Sequence, residues 1–234
     1  MVEMNASRAE LKARAKFTLK GQYWKLFGAI LLVSLITGAI SGFGSLLSLF
    51  SDEDGFNVAA VSLSSLVSIA VSLFVSIPVN LGLSRLYIRA AQGCRADIDE
   101  LFSVYRSGHL LNAILVQFLE GLFITLWSLL FIIPGIVKAF SYFMINYMLA
   151  ENPGLEQARA FEISKQLMRG NRGKAFVLGL SFLGWELLSL LTLGIGMVFL
   201  TPYINMTFSH FYLELKERGI EAGIIRPEDG LYAV

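Results

Sequence analysis

Long apolar runs separated by short polar clusters set the plan of this chain. Trp24 to Phe50, Val58 to Leu83, Leu110 to Ile133, Ile136 to Leu149 and Met168 to Tyr212 are mostly apolar. A membrane-crossing helix needs about 20 such residues. The last run opens on Met168-Arg169-Gly170-Asn171-Arg172-Gly173-Lys174 and is interrupted by Gly194-Ile195-Gly196 and by Thr201-Pro202-Tyr203-Ile204-Asn205. It therefore predicts two spans, and Pro134-Gly135 predicts a tight turn between the third and fourth. The expected fold is all-α: a polytopic membrane helical bundle, with six transmembrane helices in three hairpins and short amphipathic helices at the inner face. The expected divisions of this single domain are a basic N-terminal helix (1–23), hairpin 1 (24–83), a connector (84–109), hairpin 2 (110–150), a loop (151–174), hairpin 3 (175–213) and a tail (214–234).

The polar positions add detail. Arg8, Lys12, Lys16 and Lys20 recur every four residues, with Leu11, Ala15 and Leu19 opposite. Such a stripe suits anionic headgroups, at about 1 kcal/mol per basic side chain near the surface. A solvated cytosolic face would carry the same stripe. The stretch DIDELFSVYRSG predicts a short helix capped at Asp97. Ser34, Gly38 and Gly42 form a small-residue face, and Ser64, Ser68, Ser72, Ser76, Asn80 and Ser84 form a slowly drifting stripe on the second span. The two could pack together, or the stripe could line a water-filled path.

Composition agrees with lipid surroundings. The chain is 55% hydrophobic and 16% charged, against about 25% charged in soluble domains. Of 19 Lys and Arg, all but Lys138 fall in four groups: the stretch up to Lys25, then 85–109, 151–174 and the tail. The acidic loop Ser51-Asp52-Glu53-Asp54-Gly55 lies on the other side. The positive-inside rule then places both termini in the cytoplasm. Residues 1–25 are charged throughout, which suits a retained first span and not a cleaved leader.

An internal repeat runs through these groups. Leu19-Lys20-Gly21-Gln22-Tyr23-Trp24-Lys25-Leu26-Phe27 matches Met168-Arg169-Gly170-Asn171-Arg172-Gly173-Lys174-Ala175-Phe176, and Tyr105-Arg106-Ser107-Gly108 is a degenerate third copy. Ser128-Leu129-Leu130, Gly135 and Tyr142 stand 61 residues before Ser189-Leu190-Leu191, Gly196 and Tyr203. Three collar-plus-hairpin units stacked as one bundle are expected.

Candidate chemistry is sparse. Glu120, Lys138 and Glu186 fall inside expected spans, where charge needs a partner or water. Lys138 and Glu186 are at similar depth, separated by about 6 Å along the helix axis. A Lys138–Glu186 pair is expected, with Glu120 deeper; an ion or proton pathway is the alternative. Pro78 and Pro202, near Asn80 and Asn205, predict bends that serve either as plain kinks or as broken-helix sites. No HExxH or GxSxG occurs, and Lys138 with Ser141 only imitates a Ser–Lys dyad. Gly170 to Lys174 could form a nest for a lipid phosphate. Cys94, His109 and His210 are too few for a metal cluster.

Ile132-Ile133-Pro134-Gly135-Ile136-Val137-Lys138, Ser141-Tyr142 and Leu149-Ala150-Glu151-Asn152-Pro153 resemble the signature of the domain-of-unknown-function 975 family. So do Gly170 to Lys174, Leu180 to Trp185, and Pro202-Tyr203 through Phe211-Tyr212. The resemblance is dense from about 127 to 213 and weaker over Arg8 to Tyr23. It implies a bacterial integral membrane protein with several spans and brings no activity. Lys138 belongs to the pattern, whereas Glu120 and Glu186 do not.

The expected function is that of a non-enzymatic protein of the bacterial cytoplasmic membrane, needing no cofactor, metal or nucleic acid. Arg8, Lys12, Lys16, Lys20, Arg169, Arg172 and Lys174 would contact lipid headgroups, and a second copy or another membrane protein would be the partner. The rival is a small transporter or channel using Glu120, Lys138, Glu186 and the serine stripe.

Overall fold

The computed structural model describes residues 2–49, 69–192 and 194–232. The acidic loop at 51–55, and Ser64 and Ser68 of the serine stripe, lie outside them. Among the described residues the fold is all-helical. Its elements are α1 (Arg8–Leu19), α2 (Tyr23–Leu49), a π-helical turn (Ser72–Ser76) leading into α3 (Ile77–Ala91), and a 3-10 turn (Ile98–Phe102) leading into α4 (Ser103–Arg106). Then follow α5 (Leu110–Leu130), α6 (Ile132–Tyr142), α7 (Ile145–Glu151), α8 (Gln157–Met168), α9 (Arg172–Leu191) and α10 (Ile195–Glu221), with a last 3-10 turn at Pro227–Asp229. Ser7 caps α1 by accepting from the Glu10 amide, and Asp97 caps the 3-10 turn by accepting from Asp99.

The repeated collar motif folds the same way each time. After α1, Lys20 is extended (φ −64°, ψ 106°), Gly21 is left-handed (φ 102°), and α2 begins at Tyr23. After α8, Arg169 is extended (φ −67°, ψ 113°), Gly170 is left-handed (φ 88°), and α9 begins at Arg172. The degenerate copy follows suit, with Gly108 (φ 74°) joining α4 to α5. Glycine stands at each elbow because a Cβ is disfavoured at positive φ. At the first elbow the two helices meet at 93°.

A polar side chain just past each elbow holds the extended stretch before the next collar. Gln22 donates to the Cys94 carbonyl (3.3 Å) and accepts from the Ala96 amide (2.6 Å). Asn112 donates to the carbonyls of Pro153 (2.8 Å) and Leu155 (2.9 Å). Asn171 donates to the Val2 carbonyl (2.7 Å) and accepts from the Met4 amide (3.1 Å). The first unit thus grips the second, the second the third, and the third the first. The three collars close into a ring, with Val2, Met4 and Ala6 buried where it closes.

The other ends of the second and third units are hairpin turns. Phe131 (φ −155°, ψ 135°) alone separates α5 from α6. The turn therefore precedes Pro134-Gly135 and is not made by them. Pro134 sits in the first turn of α6, where its missing N–H costs nothing. A Cβ on Gly135 would lie 2.7 Å from the Ser128 Cα, and one on Gly196 would lie 3.1 Å from the Ser189 Cα. Both turns use the same close Ser–Gly approach, as the 61-residue correspondence predicts. The polar cluster 201–205 does not divide its run: α10 continues through Pro202.

In the interior α3 packs against both α7 and α10, whose Tyr147 and Tyr212 rings stack, with α9 against α10 and α5 against α6. Ile69–Ala91, Leu110–Leu130, Ile132–Glu151 and Arg172–Leu191 are each long and apolar enough to cross a membrane. This is the pattern of a multi-pass membrane protein. α10 is not among the four, since Thr201, Tyr203, Asn205, Thr207, Ser209 and His210 dilute its apolar character.

Candidate functional site

The basic collar residues divide into two groups. Lys12 donates to the Ser181 carbonyl (3.1 Å) and lies 4.1 Å from the centre of the Phe182 ring. Lys16 stands 5.8 Å over Tyr203, and Lys174 donates to the Met4 carbonyl (2.8 Å). Arg172 is half-buried, with its Nε enclosed and unpartnered among the described residues. Arg8, Lys20 and Arg169, by contrast, are exposed and show no hydrogen bond or ion pair among the described residues. The apolar face of α1 is also taken: Leu11, Ala15 and Leu19 are buried against the protein and not in lipid. The nest at Gly170–Lys174 is occupied in part, because Asn171 and Lys174 bind the stretch Val2–Met4.

The three intramembrane charges stay apart. Lys138 lies 4.7 Å over the Trp127 ring, and Glu120 accepts from Gln117 (3.0 Å). Glu186 makes no hydrogen bond or ion pair among the described residues, so the expected Lys138–Glu186 pair is not formed. Similar depth along the helix axis does not set rotation about it, and the Lys138 side chain turns towards α5. The Ser141 hydroxyl donates to Val137 O (2.6 Å) and not to Lys138, which removes the imitation dyad.

α2 lies against the π-helical turn and α3, but the described part of its small-residue face takes no part in that contact. Ser34 and Gly38 are exposed, and a Cβ on Gly38 would meet nothing within 4 Å. Ser84 instead accepts from Asn146 (2.7 Å) and donates to the Asn80 carbonyl (3.1 Å).

Two ionic centres at the elbow end escape the sequence argument. Glu151 accepts from the Tyr212 hydroxyl (2.6 Å) and from Lys216 through both oxygens (2.8 Å each). Arg85 donates to the Glu151 and Ala150 carbonyls and to Glu100 (2.9 Å), tying α3 to α7 and to the connector. Arg159 forms a two-pronged pair with Asp229 (2.8 and 2.9 Å) and reaches the Ile224 carbonyl (2.7 Å), fastening the tail to α8. Burial alone would raise the Asp229 carboxyl. Hydrogen bonds from Arg159 and the Arg226 backbone outweigh it and hold the group below its ordinary value. The motif Glu151-Asn152-Pro153 was the available signal, but its partners are far away in sequence. Among the described residues no cluster of three or more His, Cys, Asp or Glu is placed to hold a metal.

Residues 129–219 match the family model described as "Protein of unknown function (DUF975)". That stretch starts at the tip of the second hairpin and runs through the third collar to the end of α10. No curated protein and no solved structure gives a match.

Proposed function

We propose that this chain, whose residues 129–219 match the model of the domain-of-unknown-function 975 family, is a non-enzymatic protein of a bacterial cytoplasmic membrane that holds anionic lipid headgroups at its collars. In this reading six spans stand as three hairpins, both termini are cytoplasmic, and a second copy or another membrane protein is the partner. The observation that supports headgroup contact is the exposure of Arg8, Lys20 and Arg169 without protein partners, two of them beside left-handed glycines at elbows. Lys12, Lys16 and Lys174 contribute less, since each is engaged within the protein.

Full-length protein in nanodiscs of mixed phosphatidylethanolamine and phosphatidylglycerol tests this. Lipid retained on extraction should be enriched in phosphatidylglycerol, and a Lys20→Glu, Arg169→Glu double variant should abolish the enrichment. Equal enrichment in parent and variant would refute it. The rival transporter reading draws no support from the intramembrane charges, which the structure keeps apart.

A further inference from the structure

Where α3, α7 and α10 converge, a cavity of about 270 Å³ is lined by Asn80, Ser84, Asn146, Tyr147, Asn205 and Ser209, with Tyr87 at its wall. Two of these helices bring the same pattern, Asn-x-x-x-Ser-x-x-Tyr: Asn80, Ser84 and Tyr87 on α3, and Asn205, Ser209 and Tyr212 on α10. The third departs from it, having Ala150 where the others have serine. At 1.5 Å per residue, Asn205 stands about 16 Å below the Gly194 turn, well inside the apolar layer.

An independent observation points to an occupant. Ser209 is fully buried, yet its hydroxyl has no partner among the described residues. Serines inside helices ordinarily bond back to the preceding turn, as Ser84 and Thr207 do here. Ser209 does not, and a buried hydroxyl left unmade is unfavourable. Ser209 borders the cavity, and because its hydroxyl is covered in this conformation, a small shift of the wall is what would let a bound group satisfy it.

We infer that this cavity binds a small uncharged solute rich in hydroxyl or amide groups, with Asn80, Asn146, Asn205 and Ser209 as its hydrogen-bonding partners. An asparagine amide carries two N–H donors and one acceptor. Asn80 gives one N–H to the Ser76 carbonyl and Asn146 one to Ser84, which leaves each with an N–H and a carbonyl for a guest, a pairing that suits polyols and sugars. No acidic or basic side chain lines the space. The nearest cation along the chain, Arg85, is committed to Glu100 and to two carbonyls. A charged guest at this depth would lack a counter-charge. At about 270 Å³ the space is just below the usual range for ligand pockets, the scale of a small polyol or a monosaccharide.

The test is equilibrium binding to the full chain in nanodiscs, with radiolabelled erythritol and glucose as neutral probes and glutamate and choline as charged ones. At least one neutral probe should bind saturably and neither charged probe should. Ser209→Leu and Asn205→Leu should each weaken binding at least tenfold, with Phe17→Ala, on exposed α1 surface, as the unchanged control. Asn80 is exposed, so Asn80→Leu preserves the fold and decides the matter if the buried variants do not fold. The inference is overturned if no neutral probe binds, if charged probes bind as well, or if Asn80→Leu binds like the parent.

Discussion

Leu129 and Leu191, at the hairpin tips, are 84% and 81% exposed, whereas Leu167 and Met168, at the third elbow, are fully buried. Around the tips Phe131, Ile132, Ile133, Trp185, Leu190 and Ile195 also face outward. In water such a surface would be a large unsatisfied patch, since burying one Leu or Ile is worth about 1.5–3 kcal/mol. At the elbow end, paired ions, amide clamps and a dense apolar core meet as they do in a soluble domain. The difference is the one expected of a fold whose two ends meet different solvents. Towards the tips the helices meet through close Ser–Gly approaches and ring contacts such as Lys138 over Trp127, whereas at the collars ions, amides and an apolar core supply the closure.

The comparison breaks most readily at Glu151. Glu151→Ala strands Lys216, whose side chain is 8% exposed, and should cost about 3–5 kcal/mol, the range for one partner removed from a buried pair. Denaturant unfolding in micelles measures it, and a loss below about 1 kcal/mol would mean the elbow end does not carry the stability.

The tail clasp comes next. Asp229→Asn should cost about 3 kcal/mol at neutral pH. Because folding lowers the Asp229 pKa, the clasp's contribution is full above the unfolded value of about 3.9 and is lost as pH falls through the lower folded value. Limited proteolysis of the tail should therefore be flat from pH 8 to 5 and rise only below about pH 4. A rise near neutrality would count against the pairing.

The clamps sharpen the contrast on a smaller scale. Asn171→Ala removes a fully buried amide and should cost about 1–3 kcal/mol, with Asn112→Ala, partly exposed, at the lower end. Amide hydrogen exchange should speed up at Met4 in the first variant, and equal protection in parent and variant would deny that the ring closes there. Smallest of all, Leu129→Ala and Leu190→Ala should change micellar stability by no more than about 0.5 kcal/mol. A loss of 2 kcal/mol or more at Leu129 would place it in a protein core.

The parts legible in the sequence were those carried by local chemistry. The repeat containing Lys20-Gly21 and Arg169-Gly170 marked two equivalent points before spans, which the structure makes into elbows because glycine suits the left-handed step, and Ser128/Gly135 with Ser189/Gly196 marked corresponding turns. Placing the second turn at Pro134-Gly135 failed because proline suits a helix's first turn as well as a break. The Lys138–Glu186 pair failed because spacing gives depth but not rotation about the axis. Gln22, Asn112 and Asn171 were silent as clamps, since each grips backbone many residues away. The cavity was visible only in halves: Asn80 and Ser84 stood out in a stripe, and Asn205 as a neighbour of Pro202, with nothing to join them.

The most direct measurement is cysteine accessibility in intact cells, in a Cys94→Ser background. Thr192→Cys, at the third hairpin's turn, should react with a membrane-impermeant maleimide from outside, and Lys165→Cys, on α8, should react only after the membrane is opened. Labelling of Lys165→Cys from outside, or of both positions alike, would contradict the assignment of tips and collars to opposite faces of the bilayer.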